Sequence, residues 1–179
     1  MKILKGLLLT VVGIVILALV IALFVKKDYA VERQVTINKP ESEVFDFIKH
    51  IKNQDQYSVW NSIDPAMKKD YQGTDGTVGF ISSWESTNKN VGKGEQEITN
   101  IKEDDRIDMK LRFKEPFEAE DDAYMETEGM GASQTNVKWG FKGKMAYPMN
   151  LMLLFMNMEE ILGKDLQGGL DKLKTVLEK

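Results

Sequence analysis

The sequence has no cysteine and a single histidine in its 179 residues. The absence of cysteine excludes disulfide bonds, thiol nucleophiles and zinc–thiolate sites. A Ser-His-Asp triad would have to use His50, and no nucleophile-elbow motif lies near it. We therefore predict no metal site and no cofactor.

Acidic residues are missing from the first part of the chain. Four of the 24 Lys and Arg residues, and none of the 28 Asp and Glu residues, precede Asp28, so residues 28–179 carry a net charge of −8. A surface with this excess of negative charge repels phosphate backbones and anionic lipid head groups. The composition predicts that the protein has no nucleic-acid partner.

Charge is also missing from one long run, residues 7–25. Fifteen of its nineteen residues are Leu, Ile, Val or Phe, and lysines flank it on both sides. A helix of this length rises ~29 Å, close to the ~30 Å thickness of a hydrocarbon core. The run predicts a transmembrane anchor within residues 1–27 and a single domain over residues 28–179.

A cleaved signal peptide is the alternative interpretation of the same run. Signal peptides have an apolar core of roughly 7–15 residues followed by a small-residue cleavage site. Here Val20-Ile21-Ala22 is a weak site, because Leu23-Phe24-Val25 continues the apolar stretch. The short basic N-terminus favours a cytoplasmic start. We expect a single-pass membrane protein whose domain is extracytoplasmic.

The periodicity of the remaining sequence predicts an α+β domain. Alternating residues from Tyr29 to Ile37 are typical of a first strand, and Val44, Ile48 and Ile51 have helical spacing. Four to six further strands with turn signals between them predict an antiparallel sheet. One of these strands has Val78, Phe80, Ser82 and Trp84 on one face, and two others alternate cleanly around Ile107 and around Val137. The predicted order is a strand at 29–37, a helix at 41–51, a short helix or ordered loop at 52–66, strands between 68 and 142, and a long helix from about Pro148 to Leu177.

Five stretches of sequence, in this order, resemble the START-like (SRPBCC) superfamily in its polyketide cyclase/dehydrase branch. They are YAVERQVTINKPESEVFDFI at 29–48, WNSIDP at 60–65, GTVGFISSWE at 76–85, GKGEQEI at 92–98 and YPMNLML at 147–153. The resemblance implies a helix-grip fold, in which the sheet wraps around the long C-terminal helix and encloses a cavity. Members of this superfamily bind lipids and other apolar molecules, and some catalyse cyclisation or dehydration.

Two groups of residues are candidates for the wall of such a cavity, with ordinary core packing as the alternative. Aromatic side chains on one face of the sheet suit a flat or acyl ligand. Methionine is flexible and polarizable, and six of the ten methionines lie between residues 130 and 158. The predicted cavity residues are Trp60, Phe80, Trp84, Met109, Phe113, Trp139, Phe141, Met149, Met152, Phe155 and Met156.

Glu95, Glu97 and Asp121 are the candidate acid/base residues. A carboxyl group buried in an apolar cavity has a raised pKa and can move protons, although charged strand residues usually face solvent. His50 lies near Lys49 and Lys52 and is expected to be solvated, with no orienting carboxylate.

Three functions remain open from the sequence. The first is a membrane-tethered module that binds an apolar small molecule or lipid. The second is a cyclase or dehydrase on the same scaffold. The third is an interaction or sensing module whose ligand regulates a protein partner.

Overall fold

A computed structural model describes residues 2–179, and its first element is helix α1, Lys2–Phe24. Within α1, Ile3–Phe24 is long and apolar enough to cross a membrane, and nearly all of its side chains are exposed. The Thr10 hydroxyl donates to the Gly6 carbonyl at 3.1 Å, so this polar group is satisfied inside the helix.

Seven antiparallel strands form the sheet that follows. They are β1 Asp28–Ile37, β2 Lys68–Gln72, β3 Ile81–Glu85, β4 Lys93–Lys102, β5 Arg106–Glu115, β6 Ala119–Gly129 and β7 Thr135–Lys144. Their order in the sheet is β1-β7-β6-β5-β4-β3-β2, so the first strand pairs with the last. Bulges in β4 at Lys93/Gly94 and at Ile98/Asn100 interrupt its pairing with β5.

Short helices and one long helix make up the rest of the domain. They are α2 Glu41–Lys49, a 3₁₀ turn at Ile51–Asn53, α3 Gln54–Tyr57, α4 Val59–Ile63, a second 3₁₀ segment at Met149–Leu154 and α5 Met158–Leu177. Pro40 precedes α2, and Glu41 and Glu43 lie in its first turn, where acidic groups favour the helix dipole. Val44 and Ile48 are fully buried, so α2 packs through its predicted apolar face.

Helix α5 begins later than the sequence predicted, and the expected start near Pro148 is wrong. Residues 149–154 form the 3₁₀ segment, and Asn157 then caps a new helix by accepting the N–H of Glu160 at 3.3 Å. Asn150 is fully buried and donates to the Ala22 and Val25 carbonyls. Hydrogen bonds to distant backbone and a local cap therefore override the apolar spacing across this region.

Strand β3 is likewise shorter than predicted at its start. Gly79 has a φ of +88°, a left-handed conformation that breaks the strand, and Val78 is 58% exposed. Phe80 is nevertheless buried, because its carbonyl accepts the N–H of Ile98 at 2.9 Å.

The glycines of α5 permit close contact with the sheet. A Cβ at Gly169 would lie 2.7 Å from the Trp139 ring, and one at Gly163 would meet the guanidinium of Arg33. Leu166, Leu170 and Leu173 are fully buried against the sheet. The helix is thereby held against β1 and β7, with its N-terminal half free to line a cavity.

Candidate ligand-binding cavity

A cavity of about 400 Å³ lies between the concave face of the sheet, helices α3 and α4, and the first turns of α5. Most of its wall is aromatic or aliphatic. The apolar lining residues are Ile51, Trp60, Met67, Tyr71, Trp84, Val91, Leu111, Phe113, Phe117, Ala119, Ala123, Trp139, Phe141, Leu162 and Leu166.

All three tryptophans of the chain line this cavity. Trp60 and Trp139 pack edge to face with ring centroids 5.9 Å apart, and Trp84 packs against Phe113 in the same way at 5.9 Å. Edge-to-face pairs of this kind are favourable by about 0.5–1.5 kcal/mol beyond the burial of their area. Packing within the protein therefore holds rings in place on both sides of the cavity.

Two glutamine side chains bring amide groups to this apolar wall. Gln54 is 7% exposed, and its buried Nε2 has no hydrogen-bond partner. Gln96 is also buried, and its Nε2 donates to the sulfur of Met109 at 2.7 Å, a weak acceptor. A buried amide without a good partner is unfavourable, and a rotation of its side chain into the cavity would let a ligand oxygen accept its N–H.

Charged groups lie among the cavity residues only towards its rim. Asp55 is exposed, pairs with Lys69 at 2.5 Å and accepts from the Asn61 amide at 2.7 Å. Glu115 and Lys89 are exposed, and Phe117 is 74% exposed beside them. The inner part of the cavity is therefore uncharged.

The structure brings five of the predicted cavity residues together on the wall, namely Trp60, Trp84, Phe113, Trp139 and Phe141. Phe80 and Met109 lie one layer behind it. Phe80 stacks on Tyr71 at 6.1 Å, and the Met109 sulfur receives the Gln96 amide.

The four remaining predicted residues lie elsewhere, because residues 149–157 are not part of α5. Met149, Met152 and Phe155 are exposed, and Phe155 and Met156 border a groove beside α1. Their side chains are therefore separated from the cavity, although their helical spacing suggested a continuous apolar face.

Glu95 and Glu97 lie on the outer face of β4, opposite Gln96. Glu95 pairs with Lys114 at 2.6 Å and with Arg112 at 3.2 Å, and Glu97 pairs with Arg112 at 2.6 Å. The hydrogen bond from Lys114 lowers the pKa of Glu95, with Arg112 adding to the effect. The two carboxylates belong to one ion-pair network and face away from the cavity.

Asp121 differs from those two because it lies on the inner face of β6, between Ala119 and Ala123. Burial raises its pKa, although its carboxylate accepts the backbone N–H of Lys144 at 3.1 Å. Burial, together with the Asp121 charge, also raises the pKa of Tyr29 to about 12. Asp121 does not itself line the cavity, and its neighbour Asp122 pairs with Lys110 on the outer face.

His50 has an acidic neighbour that the sequence did not suggest. Its Nδ1 lies 3.8 Å from the carboxylate of Asp75, which also accepts the backbone N–H of Ile51 at 2.8 Å. His50 is partly exposed and lies outside the cavity lining. Across residues 2–179, no cluster of His, Asp and Glu has the arrangement of a metal site.

Gln54, Gln96 and Ala123 are cavity residues that the sequence reasoning missed. Gln96 follows the same alternation on β4 as Ile98, so its inward direction was readable once Ile98 was assigned to the core. Gln54 gave no such signal, because its burial depends on the packing of a four-residue helix.

A seven-stranded antiparallel sheet closed around a C-terminal helix, with a cavity between them, defines the helix-grip fold of START-like (SRPBCC) and Bet v 1-type proteins. The fold that the resemblance implied is thus confirmed. No protein-family model matches the sequence, and no curated protein matches it.

Solved structures with this fold superpose over most of the chain. Norcoclaurine synthase from Thalictrum flavum, in complex with dopamine and hydroxybenzaldehyde, has a TM-score of 0.60 at 8% identity over 83% of this chain and 86% of its own. Major latex-like protein 151 from Panax ginseng has a TM-score of 0.57 at 16% identity over 85% of this chain and 99% of its own. A protein from Thermobifida fusca, solved by NMR, has a TM-score of 0.57 at 15% identity over 81% of this chain and 90% of its own.

Proposed function

We propose that this protein is a membrane-anchored module that binds an apolar small molecule or lipid in the cavity under α5. The observation that carries the proposal is the cavity of about 400 Å³, whose mostly apolar wall includes seven aromatic side chains. This volume falls within the range of roughly 300–1,000 Å³ that is typical of small-molecule sites. The norcoclaurine synthase complex, which holds two small aromatic molecules in a protein of this fold, supports the same interpretation.

The amide of Gln54 suggests what the ligand carries besides its apolar body. The Nε2 atom is itself buried beneath the cavity surface, so a rotation of the Gln54 side chain into the cavity would let one ligand oxygen accept its N–H while the hydrocarbon part of the ligand lies against the tryptophans. A fatty acid, a fatty alcohol or a ketone has this combination. A fully ionised ligand head group fits only at the rim, where Lys69 and Lys89 lie.

Membrane attachment is the second part of the proposal. Helix α1 has the length and composition of a span, and 22 residues from Ile3 to Phe24 rise ~33 Å against a core of ~30 Å. Apolar ligands partition into bilayers, so anchoring raises their concentration near the cavity. An extracytoplasmic domain remains our expectation from the basic N-terminus.

The positions of the carboxylates favour binding over catalysis. Glu95 and Glu97 point away from the cavity in ion pairs, and Asp121 is covered. A binding role requires none of them.

Fluorescence titration of the full chain with cis-parinaric acid, a polyene fatty acid, tests the proposal. Because Trp60, Trp84 and Trp139 all line the cavity, we expect saturable energy transfer from tryptophan to one bound molecule per chain. Ala119→Phe fills the mouth of the cavity and should weaken binding at least tenfold. The control, Ala132→Phe, adds the same side chain on an exposed loop and should bind normally.

Two results would contradict the proposal. One is energy transfer that rises linearly with the concentration of cis-parinaric acid and never saturates. The other is saturable transfer that Ala119→Phe and Ala132→Phe leave equally unchanged while both variants melt at the wild-type temperature.

A further inference from the structure

The junction between α1 and the domain is a fixed contact and not a flexible tether. Asn150 Nδ2 donates to the carbonyls of Ala22 and Val25 at 2.7 and 2.9 Å. The backbone N–H of Met145 donates to the Lys27 carbonyl at 2.9 Å. These bonds fix the last turn of α1 relative to the sheet, since three residues separate α1 from β1.

The strand pairings identify which end of the sheet this junction occupies. Asp28 pairs with Lys144, next to the pairing of Lys142 with Asp122. On the following strands, Phe113 pairs with Ala119 and Glu115 with Lys93. Because every pair is antiparallel, the start of β1, the end of β7, the β5–β6 loop and the β3–β4 loop all lie at one end of the sheet.

The rim of the cavity lies at this same end. Lys89, Asn90 and Val91 on the β3–β4 loop and Pro116 and Phe117 on the β5–β6 loop line it. Helix α5 also begins here, with Met158 beside α1 and Leu162 on the cavity wall. The cavity therefore opens at the end of the domain that carries the membrane helix.

The two most exposed large apolar side chains of residues 28–179 lie at this end as well, Phe155 at 84% and Phe117 at 74%. Leu154, Met149 and Met152 are exposed beside Phe155, whereas Val78 and Met130 are exposed on separate loops at the other end. Leu153, Leu154 and Phe155 border a groove whose other wall is Ile21 and Phe24 of α1. Since those two residues belong to the last turn of the span, the 3₁₀ segment lies at the level where hydrocarbon meets head groups.

One aromatic pair separates this groove from the cavity. Tyr29 borders the groove, Phe141 lines the cavity, and their rings stack at 6.2 Å with an interplanar angle of 17°. An acyl chain in this groove would thus be separated from the ligand site by these two side chains.

We infer that this end of the domain is seated on the bilayer that holds α1, with Phe117 and residues 149–155 in the interfacial layer and the cavity mouth facing the membrane. The inference rests on the proposed anchoring and binding functions. Exposed apolar residues of a soluble surface are unfavourable in water, whereas the same residues beside a membrane helix gain from immersion. A ligand dissolved in the membrane then reaches the cavity without crossing bulk water.

Single-cysteine spin labelling tests the inference on the full chain, which has no native cysteine to remove. Nitroxides are placed by Phe117→Cys, Phe155→Cys, Leu17→Cys and Ser133→Cys, and each variant is reconstituted in palmitoyl-oleoyl phosphatidylcholine vesicles. Frequent collisions of a nitroxide with oxygen show that the label lies in hydrocarbon, and frequent collisions with a water-soluble nickel chelate show that it lies in solvent. Ser133 is the control because it lies on the exposed β6–β7 loop at the opposite end of the sheet.

We expect oxygen collisions to dominate at positions 17, 117 and 155, and nickel collisions to dominate at 133. Nickel-dominated signals at 117 and 155 with a lipid signal at 17 overturn the inference and leave the anchor standing. A nickel-dominated signal at 17 overturns both the anchor and this inference. Labels at 117 and 155 that neither reagent reaches indicate that a second copy covers the surface, which also overturns it.

Discussion

At the residue scale, Gln54 is the group whose environment most directly suggests an occupied cavity. Natural proteins pair nearly all buried polar groups, and an unpaired buried donor costs about 1–3 kcal/mol. The Gln54 Nε2 is such a donor, and it lies beneath the cavity surface, where a rotation of the side chain would bring it to a ligand oxygen. The residue is better explained by a ligand than by the stability of the empty protein.

We therefore expect Gln54→Met to raise the unfolding free energy of the ligand-free chain by about 1 kcal/mol and to weaken binding of cis-parinaric acid. Urea unfolding in mild detergent measures the first effect and tryptophan energy transfer the second. Gln56→Met on the same helix is the matched control, because Gln56 is exposed. A variant at position 54 that is both less stable and equally good at binding would contradict this role.

Asp121 gives a prediction about pH. Its folded-state pKa is raised by burial, so its ionisation costs more in the folded than in the unfolded chain. The stabilising effect of this carboxyl group is complete below the unfolded pKa of about 3.9 and is lost as pH rises through the raised folded value.

Asp121→Asn keeps an acceptor for the Lys144 N–H and removes the titration. We expect this variant to be more stable than the wild type at about pH 7 and equal to it at about pH 3, measured by urea unfolding. Asp122→Asn, on the outer face, should show no such pH-dependent gain. An Asp121→Asn variant that is destabilised equally at both pH values would mean that the carboxylate is needed in its charged form.

At the element scale, α5 is positioned by two adjacent glycines with different surroundings. A Cβ at Gly169 would lie 2.7 Å from the buried Trp139 ring, whereas one at Gly168 meets only a methyl of Val59 at 3.2 Å. Alanine is favoured over glycine inside a helix by about 1 kcal/mol.

Gly168→Ala should therefore leave stability unchanged or raise it by up to about 1 kcal/mol. Gly169→Ala should lower it, because the clash with Trp139 outweighs the gain in helix propensity, and it should also change the tryptophan emission spectrum. Urea unfolding and fluorescence of the two variants measure this difference. Equal behaviour would contradict the close approach of α5 to β7.

The elements that depend on local pattern were predictable from the sequence, and those that depend on distant contacts were not. The alternation around Ile107 and Val137 predicted β5 and β7, and the resemblance implied how the sheet and last helix combine. The helix expected from Pro148 failed because Asn150 bonds to carbonyls more than 120 residues away. The methionines of this region were therefore assigned to the cavity because of their helical spacing, whereas in the structure they lie beside α1.

The residues of the candidate site likewise fall into those that the sequence predicted and those that it did not. The three tryptophans were predictable as cavity residues, since their strand positions or the resemblance placed them on the concave face. Gln54 was not predictable, because only the packing of α3 under α5 buries it. The inward direction of Asp121 was left open, since adjacent strand residues face opposite ways and its register was unknown.

At the scale of the whole molecule, helix α1, the groove and the cavity mouth lie at one end and the β6–β7 loop lies at the other. This polarity follows from a first strand that begins directly after α1 and pairs with the last strand. A soluble binding protein has no need of such an arrangement, whereas a protein that takes its ligand from a membrane gains from it.

Native mass spectrometry of the full chain released from mild detergent tests the central claim most directly. The account predicts a complex of one chain with one apolar small molecule, either carried through purification or formed on adding cis-parinaric acid, and its loss in Ala119→Phe but not in Ala132→Phe. A folded chain that shows only its own mass, both as purified and after the fatty acid is added, would contradict it.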